Sequence, residues 1–343
     1  MLEKKKFWEA VRGRPEWLLL PLFESGFLNW MDDKTYLKIQ YWAYTGKKLN
    51  LKNPGTFNEK ISWLKLYDRR KIYRLLADKY FARRFVEKVL GSSWLVPVYG
   101  VWKSVKDIDF ENLPNQFVLK CSHGYGGTVI CKDKEKLDIK NAKKILTKTI
   151  RTDFYGRSRE WTYYHPHPRI LAEKLVDDKG GERPADYKFM CFNGEVRYVC
   201  ISRSLRDFDK GCLSFYQADG KKAPFKRVDY LECPSGQKLP QCFDEMKRAA
   251  ERLAKKINLP FVRTDFYEEE GKVYFSEFTF YPCGGTMVLN HEKYDRMLGD
   301  MINLPERMEK ANAGNQRYSS NVQFGKDNRS MLKKHRQADL SGL

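Results

Sequence analysis

From the N-terminus to about residue 75 the apolar positions are strongly aromatic. Trp8, Trp17, Phe23, Phe27, Trp30, Tyr36, Tyr41 and Trp42 recur at irregular helical spacings with polar residues between them. This pattern predicts a helical region that packs against the main body, with a membrane-surface helix as the alternative. Asn53-Pro54-Gly55-Thr56 reads as a turn. It precedes a predicted helix, FNEKISWLKLYDRR, whose Phe57, Ile61, Leu64 and Tyr67 step by three or four. A second helix is expected from Ile72 to Leu90, stopped by Gly91.

Beyond Gly91 the period shortens. Trp94 to Trp102 reads as extended, and Gln116–Lys120 and Thr128–Cys131 as short strands. A helix over 138–150, a strand over Ile170–Val176 and a polar loop over 177–184 follow. Tyr187–Phe192 and Glu195–Ser202 form an expected hairpin about Asn193-Gly194, a strong turn dipeptide. A helix over Phe243–Ile257 precedes a last hairpin, Phe261–Tyr267 and Lys272–Tyr281, turning at EEEG. The polar tail from about Ala311 is expected to be flexible or peripheral. Hairpins outnumber crossovers and no internal repeat is visible, so the expected class is α+β.

Composition sharpens this reading. In 343 residues, apolar side chains make up 42% and aromatics 14%, enough for a substantial core and against wholesale disorder. Lys plus Arg number 64 against 44 Asp plus Glu, a formal +20 that favours anionic partners. The basic residues are spread out rather than gathered in a nucleic-acid motif, which argues against DNA or RNA as the partner. No apolar run approaches a membrane span, and the N-terminus lacks a signal-peptide pattern. The eight cysteines form no CxxC, which points to reduced thiols, a cytoplasmic address and no zinc site.

Three clusters carry chemistry. In the first, Lys120 ends a strand and Ser122-His123-Gly124-Tyr125-Gly126-Gly127 follows. Glycines let backbone N–H groups approach an anion, and a lysine adds a point charge. The lysine precedes the glycines, so this is not a GxxxxGK[ST] loop. In the second, Arg263 and Asp265 share one strand face, and Glu277 and Thr279 share one on the next strand. Asp265 and Glu277 converging on one spot would suit Mg²⁺, which takes one or two carboxylates plus phosphate oxygens. The alternative is an Arg263–Glu277 ion pair. In the third, Ile170–Val176 carries Glu173-Lys174 on an apolar strand, the pattern of a hinge. Asp207-Phe208-Asp209 matches the short DxD of sugar-nucleotide transferases, His165 and His167 read as a surface loop, and no GxSxG is present.

In this order the segments FNEKISWLKLYDR, ADKY, VPVYGVW, LPNQFVLKCSHGYGG, EWTYYHPHPRILAEKL, DYKFMCFNGEV, FVRTDFYEEEGKVYFSEFTFYP and MLGDMINLP resemble the TupA-like branch of the ATP-grasp superfamily, over roughly residues 50 to 305. The resemblance implies two α+β subdomains gripping ATP, over 76–180 and 181–306, after a helical region at 1–75 and before a basic tail at 307–343. It implies that Lys79 and Lys120 contact phosphates and that His123, Gly124, Gly126 and Gly127 belong to the loop closing over them. It places Glu173, Lys174 and Val176 at the adenine, Asp186 and Lys188 near the ribose and phosphates, and Asp265, Glu277 and Thr279 at Mg²⁺. Arg263 and Lys120 would stabilise the transferring phosphoryl group. Thr279 stands where many relatives have Asn, and Cys121 where many have Pro. The activity implied is a Mg²⁺- and ATP-dependent carboxylate–amine ligase of cell-surface polysaccharide synthesis, amidating a uronic acid or attaching an amino acid, in the cytoplasm at the inner membrane face. A kinase on the same fold and a glycosyltransferase are the alternatives.

Overall fold

The computed structural model describes residues 15–176, 185–203, 211–234 and 239–307. The DxD at Asp207 and Asp209, the 177–184 loop and the tail lie outside the described residues. The helices are α1 (Leu20–Ser25), α2 (Asp33–Thr45), α3 (Phe57–Tyr67), α4 (Lys71–Ala77), α5 (Lys79–Leu90), α6 (Ile139–Ile150), α7 (Phe154–Ser158), α8 (Phe243–Ile257) and α9 (Glu292–Asp300). The strands are β1 (Val98–Trp102), β2 (Phe117–Cys121), β3 (Val129–Cys131), β4 (Ile170–Glu173), β5 (Asp186–Phe192), β6 (Glu195–Arg203), β7 (Cys212–Gln217), β8 (Phe261–Glu269) and β9 (Lys272–Thr279).

Two antiparallel sheets result, in the orders β1-β4-β2-β3 and β7-β6-β5-β8-β9. The α+β class is therefore as expected. The hairpin at Asn193-Gly194 forms with both residues at positive φ, 49° and 90°, the conformation a two-residue turn needs. One face of the larger sheet packs on α8, where Phe189 and Phe266 meet at 5.8 Å and Phe189 and Phe243 at 5.6 Å. Phe57, Tyr73 and Phe85 of α3, α4 and α5 join this core. The smaller sheet has its own core with Ala142 and Leu146 of α6.

Several boundaries differ from expectation. The helix begun at Phe57 ends at Tyr67 rather than Arg70, because Asp68 turns extended and its buried carboxylate accepts from Arg70 Nε and Nη2 and from the Tyr73 hydroxyl. The expected 72–90 helix is broken at Asp78. That side chain caps α5 by accepting from the Tyr80 and Phe81 N–H groups, and it also accepts from Ser122 Oγ at 2.7 Å. In the 94–102 segment the continuous strand begins at Val98, after a short 3₁₀ turn at Ser92–Trp94 and an isolated parallel bridge of Leu95 with Phe275. The 170–176 strand stops at Glu173, and the Lys174 N–H bonds to Pro97 O.

The thiol expectation also needs correction. Cys212 on β7 is joined to Cys233 by a disulfide, and the other six cysteines are free. A bridge pairing of Cys212 with Leu231 runs the two segments side by side and brings the two Cα atoms to 4.8 Å. Spacing along the chain carries no such information.

Candidate active site

Site construction starts from strand parity. On the larger sheet, Lys188 of β5 lies opposite Asp265 of β8, and Asp265 opposite Glu277 of β9. These three therefore form one row on the face away from α8. Residues two positions along share that face: Asp186, Arg263, Tyr267 and Thr279. The sequence puts Asp265 and Glu277 on one sheet face with the register open by a residue or two; the structure pairs them directly. A bulge after Asp265 adds Ser276 to the same region. The charged row sits on strands whose other face is largely apolar, Phe189, Phe266 and Phe278 with Thr264 among them, so its polarity is not a requirement of the fold.

The smaller sheet contributes the opposite wall. β2 delivers Lys120 and then the glycine loop, and β4 delivers Glu173. Helix α5 ties the two walls. Its first residue, Lys79, donates its backbone N–H to Ser122 O at 2.7 Å, while its Nζ donates to Gly124 O at 3.0 Å and meets Glu277 at 3.3 Å. One lysine thus touches both the glycine loop and the charged row. Arg83, one turn further along α5, reaches Glu173 at 3.4 Å and Val96 O at 2.5 Å.

Between the walls lies a cavity of about 630 Å³. Of the residues singled out from the sequence, it is lined by Lys79, Lys120, Gly124, Gly126, Glu173, Lys174, Val176, Asp186, Lys188, Asp265 and Glu277. His123, Gly127, Arg263 and Thr279 do not line it. His123 is buried edge-on against Phe154 at 5.4 Å. Arg263 is paired with Thr279 across the strands, one step further along the sheet. The Arg263–Glu277 ion pair weighed as an alternative does not form. Arg263 instead grips Asp265, through two nitrogens at 2.8 and 2.5 Å.

Every cation here faces a carboxylate. Lys120 meets Glu173 at 2.6 Å and Lys188 meets Asp186 at 2.8 Å, while Lys188 also donates to Ser202 Oγ at 2.7 Å. The electrostatics separate the two row carboxylates. Burial raises the Asp265 carboxyl above the usual range, and Arg263 offsets only part of this. Burial acts the same way on Glu277, but Lys79, Arg263 and Lys120 outweigh it and hold that carboxyl below its usual value. Burial, helped by the Lys79 charge, pushes the His123 imidazolium down to about 4, so this ring is neutral at pH 7.

The glycines divide by what surrounds them. All three have φ near +60 to +75°, at 65°, 74° and 59° for Gly124, Gly126 and Gly127. A Cβ on Gly124 would fall 2.2 Å from the Phe154 ring, and one on Gly127 1.8 Å from Thr149 Oγ1. A Cβ on Gly126 would meet nothing within 4 Å. Gly124 and Gly127 are thus held by packing, whereas Gly126 presents its backbone to open space in the cavity.

Arg83, Tyr267 and Ser276 were missed in the sequence. Arg83 carries a usable signal, its i+4 spacing from Lys79, and so does Tyr267, at i+2 from Asp265. Ser276 has none, because a bulge put it there. Among the described residues no three His, Cys, Asp or Glu side chains cluster as a metal-binding group, so a cation would rest on the Asp265–Glu277 pair alone.

Comparison with known proteins gives the following. No curated protein matches the chain significantly. Among solved structures, a D-alanine–D-alanine ligase from Bacillus anthracis complexed with ATP has a TM-score of 0.38 at 13% identity, over 71% of this chain and 65% of that one. A biotin carboxylase–beta-gamma-ATP complex from Campylobacter jejuni has a TM-score of 0.41 at 14% identity, over 68% and 48%. The ATP-grasp ligase PsnB complexed with minimal precursor has a TM-score of 0.36 at 12% identity, over 66% and 59%. The chain spans less than two-thirds of the length of each of these three. The model of one family, TupA-like ATPgrasp, matches residues 59–303, a stretch that includes both sheets, the glycine loop and the carboxylate pair. The chain therefore belongs to the TupA-like ATP-grasp family.

Proposed function

We propose that the protein is an ATP- and Mg²⁺-dependent carboxylate–amine ligase. The observation that carries this reading is the Asp265–Glu277 register pair, with Lys188 beside it in the same row, Lys79 touching Glu277, and Lys120 on the opposite wall of a cavity of about 630 Å³. Phosphoryl transfer asks little covalent chemistry of a protein. It asks for charge neutralisation and in-line positioning, and this site offers cations rather than a nucleophile.

In this reading ATP enters as substrate. Its adenine lies against Glu173, Lys174 and Val176 and its ribose near Asp186. Lys79, Lys120 and Lys188 exchange their carboxylate partners for phosphate oxygens. The backbone of Gly124 and Gly126 lies over the phosphates, and the neutral His123 ring supports that loop from behind. The residues fit Mg²⁺: an oxygen-only donor set, one member of which is buried enough that its charge is disfavoured and a cation would relieve it. Asp265 and Glu277 would hold the ion, with Thr279 next in line, and it would supply charge neutralisation at the phosphates. Arg263, fixed by Asp265, steadies the oxygens of the transferring group. A substrate carboxylate oxygen attacks the γ-phosphorus and ADP leaves. An amine then attacks the acyl carbon, phosphate departs, and an amide remains. The acid we propose is a uronic acid or a related glycan carboxylate of cell-surface polysaccharide synthesis, which suits a +20 chain.

Calorimetric titration with ATP tests the nucleotide step, with Mg²⁺ and with EDTA. Wild type should bind in the Mg²⁺ arm, and Lys120→Ala and Glu277→Ala should each lose about tenfold or more in affinity, as expected for a buried charge partner. Wild-type affinity retained in both variants would remove the reading. ADP release that requires both an acid and an amine would then mark a ligase, and release without an amine a kinase.

A further inference from the structure

The aromatic N-terminal region does two different things. Part of it is core: Phe23, Tyr36 and Ala43 are buried between α1 and α2. Another part faces outward, with Phe27 69% and Trp30 75% exposed, in the loop between these helices, and Trp42 42% exposed on α2. That loop is pinned rather than frayed. The buried Arg159 guanidinium donates to the carbonyls of Asn29 at 3.0 Å and Met31 at 3.2 Å and lies over the Tyr36 ring at 4.2 Å. The two large side chains project from a backbone the protein holds in place.

Charge follows the same division. The outer face of α2 carries Lys34, Lys38 and Trp42 at four-residue steps, all exposed, and Lys47 and Lys48 follow, the first paired with Glu292. The acidic residues of this segment are turned away from that role. Asp32 caps α2 by accepting from the Lys34 and Thr35 N–H groups. Asp33 faces inward, taking Arg69 at 2.5 Å, the Tyr155 hydroxyl at 2.6 Å and Arg159 at 3.4 Å. What remains outside is aromatic and cationic apart from Asp32, which is exposed and whose charge is engaged by the N-terminus of α2.

We propose that this face docks the protein on an anionic phospholipid bilayer. Trp and Phe rings are suited to the headgroup boundary, and lysines one turn apart on the same helix face reach anionic headgroups with their stems along the surface. Protein–protein interfaces are enriched in aromatics but depleted in lysine, so exposed aromatics flanked by lysines favour an anionic lipid surface over a protein partner. The proposal stands apart from the ligase reading. No helix among the described residues is long and apolar enough to cross a membrane.

The test is co-sedimentation of the full chain with vesicles of equal parts phosphatidylglycerol and phosphatidylcholine, and with vesicles of phosphatidylcholine alone. Wild type should sediment with the first and not the second, and its tryptophan emission should shift to the blue. The double variant F27S/W30S should partition about tenfold less well, with unchanged circular dichroism, because both side chains are already largely exposed. K34E/K38E should show a similar loss and a weaker response to added salt. Wild type remaining in the supernatant of anionic vesicles would overturn the proposal. So would F27S/W30S binding as well as wild type, which would assign the attraction to the diffuse basic charge. A self-associating chain that F27S/W30S converts to monomer would also overturn it, in favour of a second copy as the occupant.

Discussion

At the scale of single residues, the glycine loop shows that equal sequence symbols need not have equal roles. Gly124 needs both its positive φ and its missing Cβ, since a methyl group would enter the Phe154 ring. Gly126 needs only the φ. Replacing Gly124 by Ala should therefore cost about 3 kcal/mol or more in urea unfolding, left-handed strain plus overpacking, and Gly126→Ala about 1–2 kcal/mol from the strain alone. Equal losses would mean that the loop repacks freely. His123 makes a second residue-scale prediction. Its folded value of about 4 lies below the unfolded value near 6.5. The folded state thus refuses a proton that the unfolded chain accepts between these limits. The stability is fully present above pH 6.5 and is lost as pH falls toward 4. Between pH 7 and pH 5 wild type should lose about 1–2 kcal/mol more than His123→Phe does. Identical pH profiles for the two proteins would contradict this.

At the scale of elements, α5 does the most to build the site. It packs Ala82, Phe85 and Val86 into the core of the larger sheet while its N-terminus is anchored to the loop after β2. Asp78 makes that anchor by capping the helix and holding Ser122. Asp78→Ala should cost about 2–3 kcal/mol, a lost cap plus a lost buried hydrogen bond. It should also weaken ATP binding although Asp78 does not line the cavity. Asp78→Asn, which keeps one oxygen for the cap but puts an NH2 donor where the Ser122 hydroxyl donates, should cost an intermediate amount, about 1–2 kcal/mol. Unfolding and calorimetry on the same two variants separate these outcomes. Helix α3 is fixed with similar economy. Thr56 and Glu59 form a capping box at its start, and Asn58 ties it to Asp295 of α9 and to the Met287 backbone. Where α9 passes it, Gly299 lies so near Gly55 that a Cβ would come within 2.3 Å of its carbonyl oxygen. FNEK and MLGD, far apart in the chain, are two sides of one contact.

At the scale of the whole molecule, the formal charge is +20. Among the described residues, the cleft residues Lys79, Lys120 and Lys188 each meet a carboxylate, while Lys34 and Lys38 of α2 face solvent. The disulfide belongs to this scale too, because it joins β7 to a segment 21 residues away on the far edge of the larger sheet. Protein purified without reductant and then denatured should give six titratable thiols out of eight. Reduction should lower its stability by about 3 kcal/mol, the loop-closure entropy of a span this long. Eight thiols before reduction would mean that the bond does not form.

Alternation and helical spacing by themselves determined the class, the two hairpins and most elements, since local periodicity is a local property. They also put Asp265 and Glu277 on one sheet face, because side chains alternate along a strand, but left the register open by a residue or two; the structure set them directly opposite. The breaks at Asp68 and Asp78 were not legible. Each depends on a partner the chain brings from elsewhere or turns back to find: Arg70 and Tyr73 for one, Ser122 for the other. The same holds for the site. Its residue types were visible in the sequence, but only the tertiary structure decided that Lys79 bridges the glycine loop and Glu277, that Arg263 clasps Asp265 rather than Glu277, and that Phe27 and Trp30 remain outside while Phe23 and Tyr36 go in. Long-range ion pairs and burial are set by which surfaces meet, and no spacing along the chain encodes that meeting.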